Sequence, residues 1–153
     1  MRYILFTFFS LISFNLYSAD HVDSLLRVLD RELETAAGYI IIKNDKIEEL
    51  KQELRYSIED SEKYRLLDSI FELYQSYHYD SAFRYVSHLQ DIAHEMNDQV
   101  KITQSKIKMG FIFISSGMFK EAEDTLVTVN QQSLKNSIRS EYYSVMALLY
   151  YGM

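Results

Sequence analysis

Residues 99–134 read QVKITQSKIKMGFIFISSGMFKEAEDTLVTVNQQSL, two apolar-striped segments joined at Ser116-Gly117. The first segment carries Ile102, Ser105, Lys106, Met109, Gly110, Phe113 and Ile114 at three- and four-residue steps, the spacing that gathers side chains on one face of a helix. Asp98 is placed to cap its start. Gly117 marks its end, because glycine best tolerates the left-handed conformation that follows a helix. The second segment carries Phe119, Ala122, Leu126 and Val129. Gly110 and Ala122 are small where paired helices must approach closely, and Phe113 and Phe119 can fill the space beside them. The stretch predicts two antiparallel helices nested against each other.

The same grammar recurs on both sides. Asp60 or Ser61 is placed to cap a helix through Tyr64, Leu66, Leu67, Ile70, Phe71 and Tyr74. After a corner at Tyr77-His78-Tyr79, a second helix carries Ala82, Tyr85, Val86, Leu89, Ile92, Ala93 and Met96, and Asn97-Asp98 ends it. Tyr77-x-Tyr79-x-x-Ala82 aligns with Gly117-x-Phe119-x-x-Ala122. Downstream, Asn130-Gln131-Gln132-Ser133 form a polar loop before a last helix with Ile138, Tyr142, Val145, Met146, Leu148 and Leu149.

This pattern resembles the tetratricopeptide repeat. Met109-Gly110 stands where that family has Leu-Gly, Phe113 where it has an aromatic, and Gly117-Met118-Phe119 where it has its turn. Ala122 matches the inter-helix alanine, with Leu126 and Val129 at the large and small positions of the second helix. Lys106 departs from the family's Trp, Leu134 from its frequent proline, and Ser69-Ile70 from Leu-Gly in the preceding unit. A third unit begins at Met146-Ala147 and Tyr150, so residues 59–153 are expected to hold about two and a half units, truncated at Met153. The resemblance implies an all-α solenoid of stacked antiparallel helix hairpins that binds a protein or peptide. The order of parts also resembles bacterial membrane-anchored tetratricopeptide regulators. That likeness implies an extracytoplasmic sensing or scaffolding role, with membrane attachment through an uncleaved leader or a missing C-terminal span.

Ahead of the repeats, apolar residues follow alternating steps of four and three: Val22, Leu26, Leu29, Leu33, Ala36, Ile40, then Lys43, Ile47, Leu50 and Leu54. A heptad seam of this length predicts one long helix over residues 20–58, with a hairpin near Gly38 or Asn44 as the alternative. The seam is open to two covers, the downstream helices or a second copy of the chain. The second makes the segment a structural homodimerisation element, the alternative to a binding module.

Residues 1–19 have the layout of a signal peptide: Arg2, then an apolar run from Tyr3 to Phe14, then Ala19 before the expected cut. The run is short of the ~20 residues a membrane span needs. An exported, periplasmic or periplasm-facing protein is expected. Proline is absent and only four glycines occur, which suits long helices joined by short loops. The net charge of −6 disfavours nucleic acid as a partner of this segment. No cysteine is present, which removes disulfides, thiolate metal sites and thiol nucleophiles.

No constellation for chemistry emerges. His88 and His94 are wrongly spaced for an i,i+4 metal pair, His21 and His78 stand apart from them, and no phosphate-cradling glycine loop occurs. The carboxylates fall in helical charge patterns. A non-enzymatic protein without metal or cofactor is expected. Thirteen tyrosines offer a better lead, since tyrosine supplies rigid contact area with a hydroxyl that tolerates water. Tyr74, Tyr77, Tyr79, Tyr142 and Tyr143 are the candidate partner-binding residues.

Overall fold

The computed structural model describes the backbone of residues 2–152 and the side chains of residues 22–36, 38–132 and 134–152. The signal-peptide expectation for residues 1–19 rests on side chains outside these. All regular structure among the described residues is helical: α1 (Arg2–Tyr56), α2 (Asp60–Tyr74), α3 (Tyr79–Glu95), α4 (Gln99–Ser115), α5 (Phe119–Leu126), a 3₁₀ turn (Gln131–Ser133) and α6 (Asn136–Gly152). The chain divides into two compact units, residues 1–45 and 46–153.

The first unit is helix alone. α1 passes Gly38 and Asn44 without a break, so the hairpin alternative does not occur. Continuity follows from the seam, because a register shared by both halves lets each residue extend the helix without changing face. The stripe from Val22 to Ile40 is left half exposed.

The second unit begins where that stripe becomes covered. Ile47 and Leu50 are buried in a cluster with Leu66 and Ile70 of α2, and Leu54 is packed against it. The downstream helices thus cover the end of the seam. The compact body takes in residues 46–58, which the sequence pattern groups with the long helix. α2 and α3 enclose a core with Phe71, Ala82, Val86, Leu89 and Ala93, closed by Ile102, Met109 and Ile112 of α4. On its other side α4 presents Ile107 to Ala122, Leu126, Val129, Tyr142 and Leu149 of the next core. One helix thus serves two cores, the logic of a stacked repeat.

The helix ends show why the chain turns where it does. Asp98 Oδ1 accepts from the Val100 and Lys101 amides at 3.0 and 3.2 Å, satisfying two donors that the helix cannot. α4 ends at Gly117 with φ of 75°, and the Met118 amide donates to the Phe113 carbonyl at 2.8 Å. α3 closes the same way with Asn97 at φ 50° and the Asp98 amide donating to the Ala93 carbonyl at 3.2 Å. Asparagine takes that conformation more readily than most residues.

Two local expectations are corrected. α2 starts one residue earlier than a cap at Asp60 implies and two earlier than one at Ser61, after an extended Glu59 that makes no side-chain cap bond. Asp60 lies in the first turn and accepts from Lys63 at 2.8 Å, favourable there because the N-terminal end of the helix dipole is positive. α5 stops at Leu126 rather than continuing through Val129, although Val129 is still buried. The Asn130 side chain accepts from the Gln132 amide at 3.1 Å and holds the tight turn that follows.

Candidate protein-interaction surface

The stacking depends on a few side chains that are small or fully enclosed. Ala82, Ala122 and Leu126 have no exposed surface, and Met109 is buried. A Cβ built on Gly110 would stand 2.7 Å from both Cγ and Cδ2 of Leu126, inside van der Waals contact, so only glycine lets α4 lie this close to α5. Phe113 is half-buried, 6.0 Å centre to centre from Phe83 of α3. Phe119, half-buried at the start of α5, meets the end of α6 at Gly152, where a Cβ would stand 2.7 Å from its Cε1. Sequence reasoning singled out neither Gly152 nor this closure. Gly117 is exposed, and its backbone angle alone calls for glycine.

Lys106 stands where the repeat pattern has Trp, and a cavity of about 340 Å³ lies beside it, lined among others by Gln99, Thr103, Thr128, Asn130 and Lys135.

A charged cluster ties α2 to α4. The ammonium of Lys108 on α4 lies 3.0 Å from Asp68 Oδ1 and hydrogen-bonds Glu72, both on α2. It also stands 4.9 Å above the Phe71 ring, a cation–π contact strengthened by partial desolvation. The Lys108 side chain is only 11% exposed. Burial pulls its pKa down, but the bond to Glu72 and the charges of Asp68 and Glu72 outweigh that and hold it above the ordinary lysine value. Glu141 of α6 lies within electrostatic reach of the same group. Burial pushes its carboxyl above the usual range, the Lys108 charge pulls against that, and Glu72 and Asp68 reinforce it. Two carboxylates of α2 thus pair with one ammonium, and a third on α6 adds its charge within electrostatic reach, leaving the group short of positive charge. Next to it the Tyr64 hydroxyl donates to the Lys101 carbonyl at 3.3 Å and the Lys101 ammonium lies 5.3 Å from the Tyr64 ring. Burial, then the charges of Asp68, Asp98 and Glu141, push the Tyr64 phenol up. No motif announced this cluster. Its members come from three helices, and the only trace in the sequence is a lysine inside the apolar run Ile107–Ile114.

The candidate tyrosines divide by place. Tyr74 is half-buried, stacked on Tyr85 with ring centres 5.6 Å apart and an angle of 16°, and Lys51 lies 5.6 Å from its ring. Tyr77 packs on Tyr74 at 5.8 Å while staying largely open, and Tyr79 lies 6.1 Å from Phe83 and is also exposed. Tyr142 corrects its expectation. It is 1% exposed, its hydroxyl accepts from Gln131 at 3.1 Å, and it belongs to the second core rather than to a contact surface. Its neighbour Tyr143, edge-on at 5.4 Å, is half exposed. Consecutive residues on a helix point about 100° apart, so one of the pair turns inward and the other outward.

Among the described residues no group of three or more histidines, aspartates or glutamates is arranged to hold a metal ion, and no helix is long and apolar enough to cross a membrane. A model of the SusR N-terminal TPR domain matches residues 33–153. No curated protein and no solved structure matches the chain.

Proposed function

The chain belongs to the SusR N-terminal TPR domain family, and from that membership we propose that it is the extracytoplasmic binding part of a bacterial regulatory protein. Tetratricopeptide domains are protein-interaction folds, in general without catalytic activity, and stacked helix pairs build extended surfaces along which a partner lies. The partner here is a protein or peptide segment running across the face shared by α2, α4 and α6. The observation that carries this reading is the Lys108 cluster. Asp68 and Glu72 of α2 pair with one largely buried ammonium of α4, and Glu141 of α6 adds a further negative charge within electrostatic reach. A basic group on the partner would complete the pairing at Glu141, while the exposed rings of Tyr77 and Tyr79 offer further contact area on the α2–α3 corner. The leader-like start of the chain supports placement outside the cytoplasm.

The test places a photo-crosslinking residue at Glu72 or, separately, at His88 on the outer face of α3, in the chain expressed in a bacterium that encodes it. Capture of one protein from Glu72 but not from His88, weakened by Glu141→Gln, is the expected result. Equal capture from both positions, or from neither, refutes binding along this face. Export is tested apart, with alkaline phosphatase joined after Met153. Activity that disappears on deleting residues 2–19 is expected, and activity that survives the deletion refutes the leader.

A further inference from the structure

We propose that residues 22–42 of α1 pair with the same segment of a second copy of the chain as a parallel, in-register two-stranded coiled coil. The inference does not depend on the partner-binding reading above. Val22, Leu26, Leu29, Leu33 and Ile40 form the open part of the heptad stripe and are each 48–59% exposed, whereas Ile47 and Leu50, further along the same stripe, are 1% and 6% exposed. Where the stripe is covered, it is a helix that covers it, since Leu66 and Ile70 of α2 close over Ile47 and Leu50.

The period of the stripe points to the kind of cover. From Val22 to Leu50 the seam advances 3.5 residues per turn. On a straight helix such a stripe drifts by about 20° per heptad, so over the three heptads of residues 22–42 it would swing away from any flat neighbour by about 60°. Only a helix wound around α1 stays in contact with it throughout.

The size of the patch is adequate. The five stripe residues and the flanking Leu25 and Tyr39, 58% and 68% exposed, each leave on the order of 80–100 Å² open, judged from the area such side chains bury in cores. Two copies would remove roughly 1,100–1,400 Å² from water, close to the lower bound of about 1,200 Å² for a stable specific interface.

Charge selects the orientation. In a parallel pair the residues flanking the seam meet as Leu25 with Asp30 and Tyr39 with Asn44, and Glu32 faces no carboxylate. An antiparallel pair with the same overlap sets Asp30 against Asp30 and Glu32 against Glu32, and like charges so placed repel. A lipid surface is the poorer cover. Asp20, Asp23, Asp30, Glu32, Glu34 and Asp45 outnumber Arg27, Arg31 and Lys43 in this region, the wrong balance for anionic headgroups.

The chain contains no cysteine, which makes the geometry directly testable. The whole chain at tens of micromolar is expected to sediment at twice its 18.1 kDa, and the Leu29→Glu/Leu33→Glu variant as a monomer with unchanged circular dichroism. Leu33→Cys, on the seam, should form a disulfide-linked dimer on mild oxidation, and Arg31→Cys, on the outer face, should not. A wild-type monomer at ten times that concentration overturns the proposal, as does a dimer that survives the double glutamate change. Equal cross-linking at both cysteine positions overturns the parallel seam. Co-sedimentation with phosphatidylglycerol vesicles that is lost in the double variant, without any dimer, would assign the stripe to membrane instead.

Discussion

Replacing Gly110 with alanine adds one methyl group at the closest approach of α4 and α5. In an isolated helix the change is favourable by about 1 kcal/mol, because glycine has more backbone freedom to lose. Here the methyl would stand 2.7 Å from Leu126 Cγ. That atom is the branch point of a side chain with no exposed surface, enclosed with Ile107 and Ala122, so it cannot swing aside. Overpacking a core in this way costs about 1–3 kcal/mol, and the net expectation is a loss of about 1 kcal/mol. The two terms separate in a second background. Leu126→Ala alone should cost about 2–5 kcal/mol, but it removes the obstructing atoms. Gly110→Ala added to it should then become stabilising by about 1 kcal/mol. Urea unfolding followed by circular dichroism gives all four stabilities of the cycle. Gly38→Ala serves as the control, since nothing lies within 4 Å of a Cβ there, and it should raise helicity with no penalty. If Gly110→Ala has the same effect in both backgrounds to within about 0.5 kcal/mol, the close approach of α4 to α5 is not what requires glycine.

Lys108→Met should destabilise the second unit by about 1–2 kcal/mol. That lies between the worth of surface pairs and the penalty for breaking buried ones, because Asp68 and Glu72 keep partial access to water; chemical unfolding measures it. Glu141→Gln should stabilise at neutral pH. The folded state holds this carboxyl above its ordinary value, so ionisation opposes folding once the pH exceeds the folded pKa, and the opposition disappears as pH falls below the unfolded value of about 4.3. Wild type and variant should therefore differ near neutrality and converge toward pH 4 in parallel unfolding curves, and a constant difference refutes the assignment. Gly117→Ala should cost about 1 kcal/mol through backbone strain alone, the site being open. Gly117→Asn should cost less, and thermal melts rank the two.

How far the sequence speaks depends on the distance over which each feature is decided. Helix positions and turns were legible because they are set within a few residues. Asp98 caps the amides two and three residues ahead, and Gly117 supplies a backbone angle that its neighbours demand. The stripe predicted for α3 holds its buried residues, whereas α4 also buries Ile107 and Ile112, which its predicted stripe omitted, because that helix packs on two sides. The start of α2 was misplaced because propensity does not tell which polar residue of a run first enters the helix, and the end of α5 because Val129 stays buried after the backbone has left the helix.

By itself, the sequence determined an all-helical chain of paired segments and the small residues at which they nest, because helical periodicity and close approach leave their mark on residue size and spacing along the chain. Only the tertiary structure decided which face each helix shows to which neighbour. It turned Tyr142 inward and Tyr143 outward, split the heptad stripe into a covered end and an open length, and set Asp68 and Glu72 of α2 against Lys108 of α4 within electrostatic reach of Glu141. Those outcomes depend on burial and on Coulomb interactions between residues far apart in the chain, and such interactions exist only once the helices have stacked.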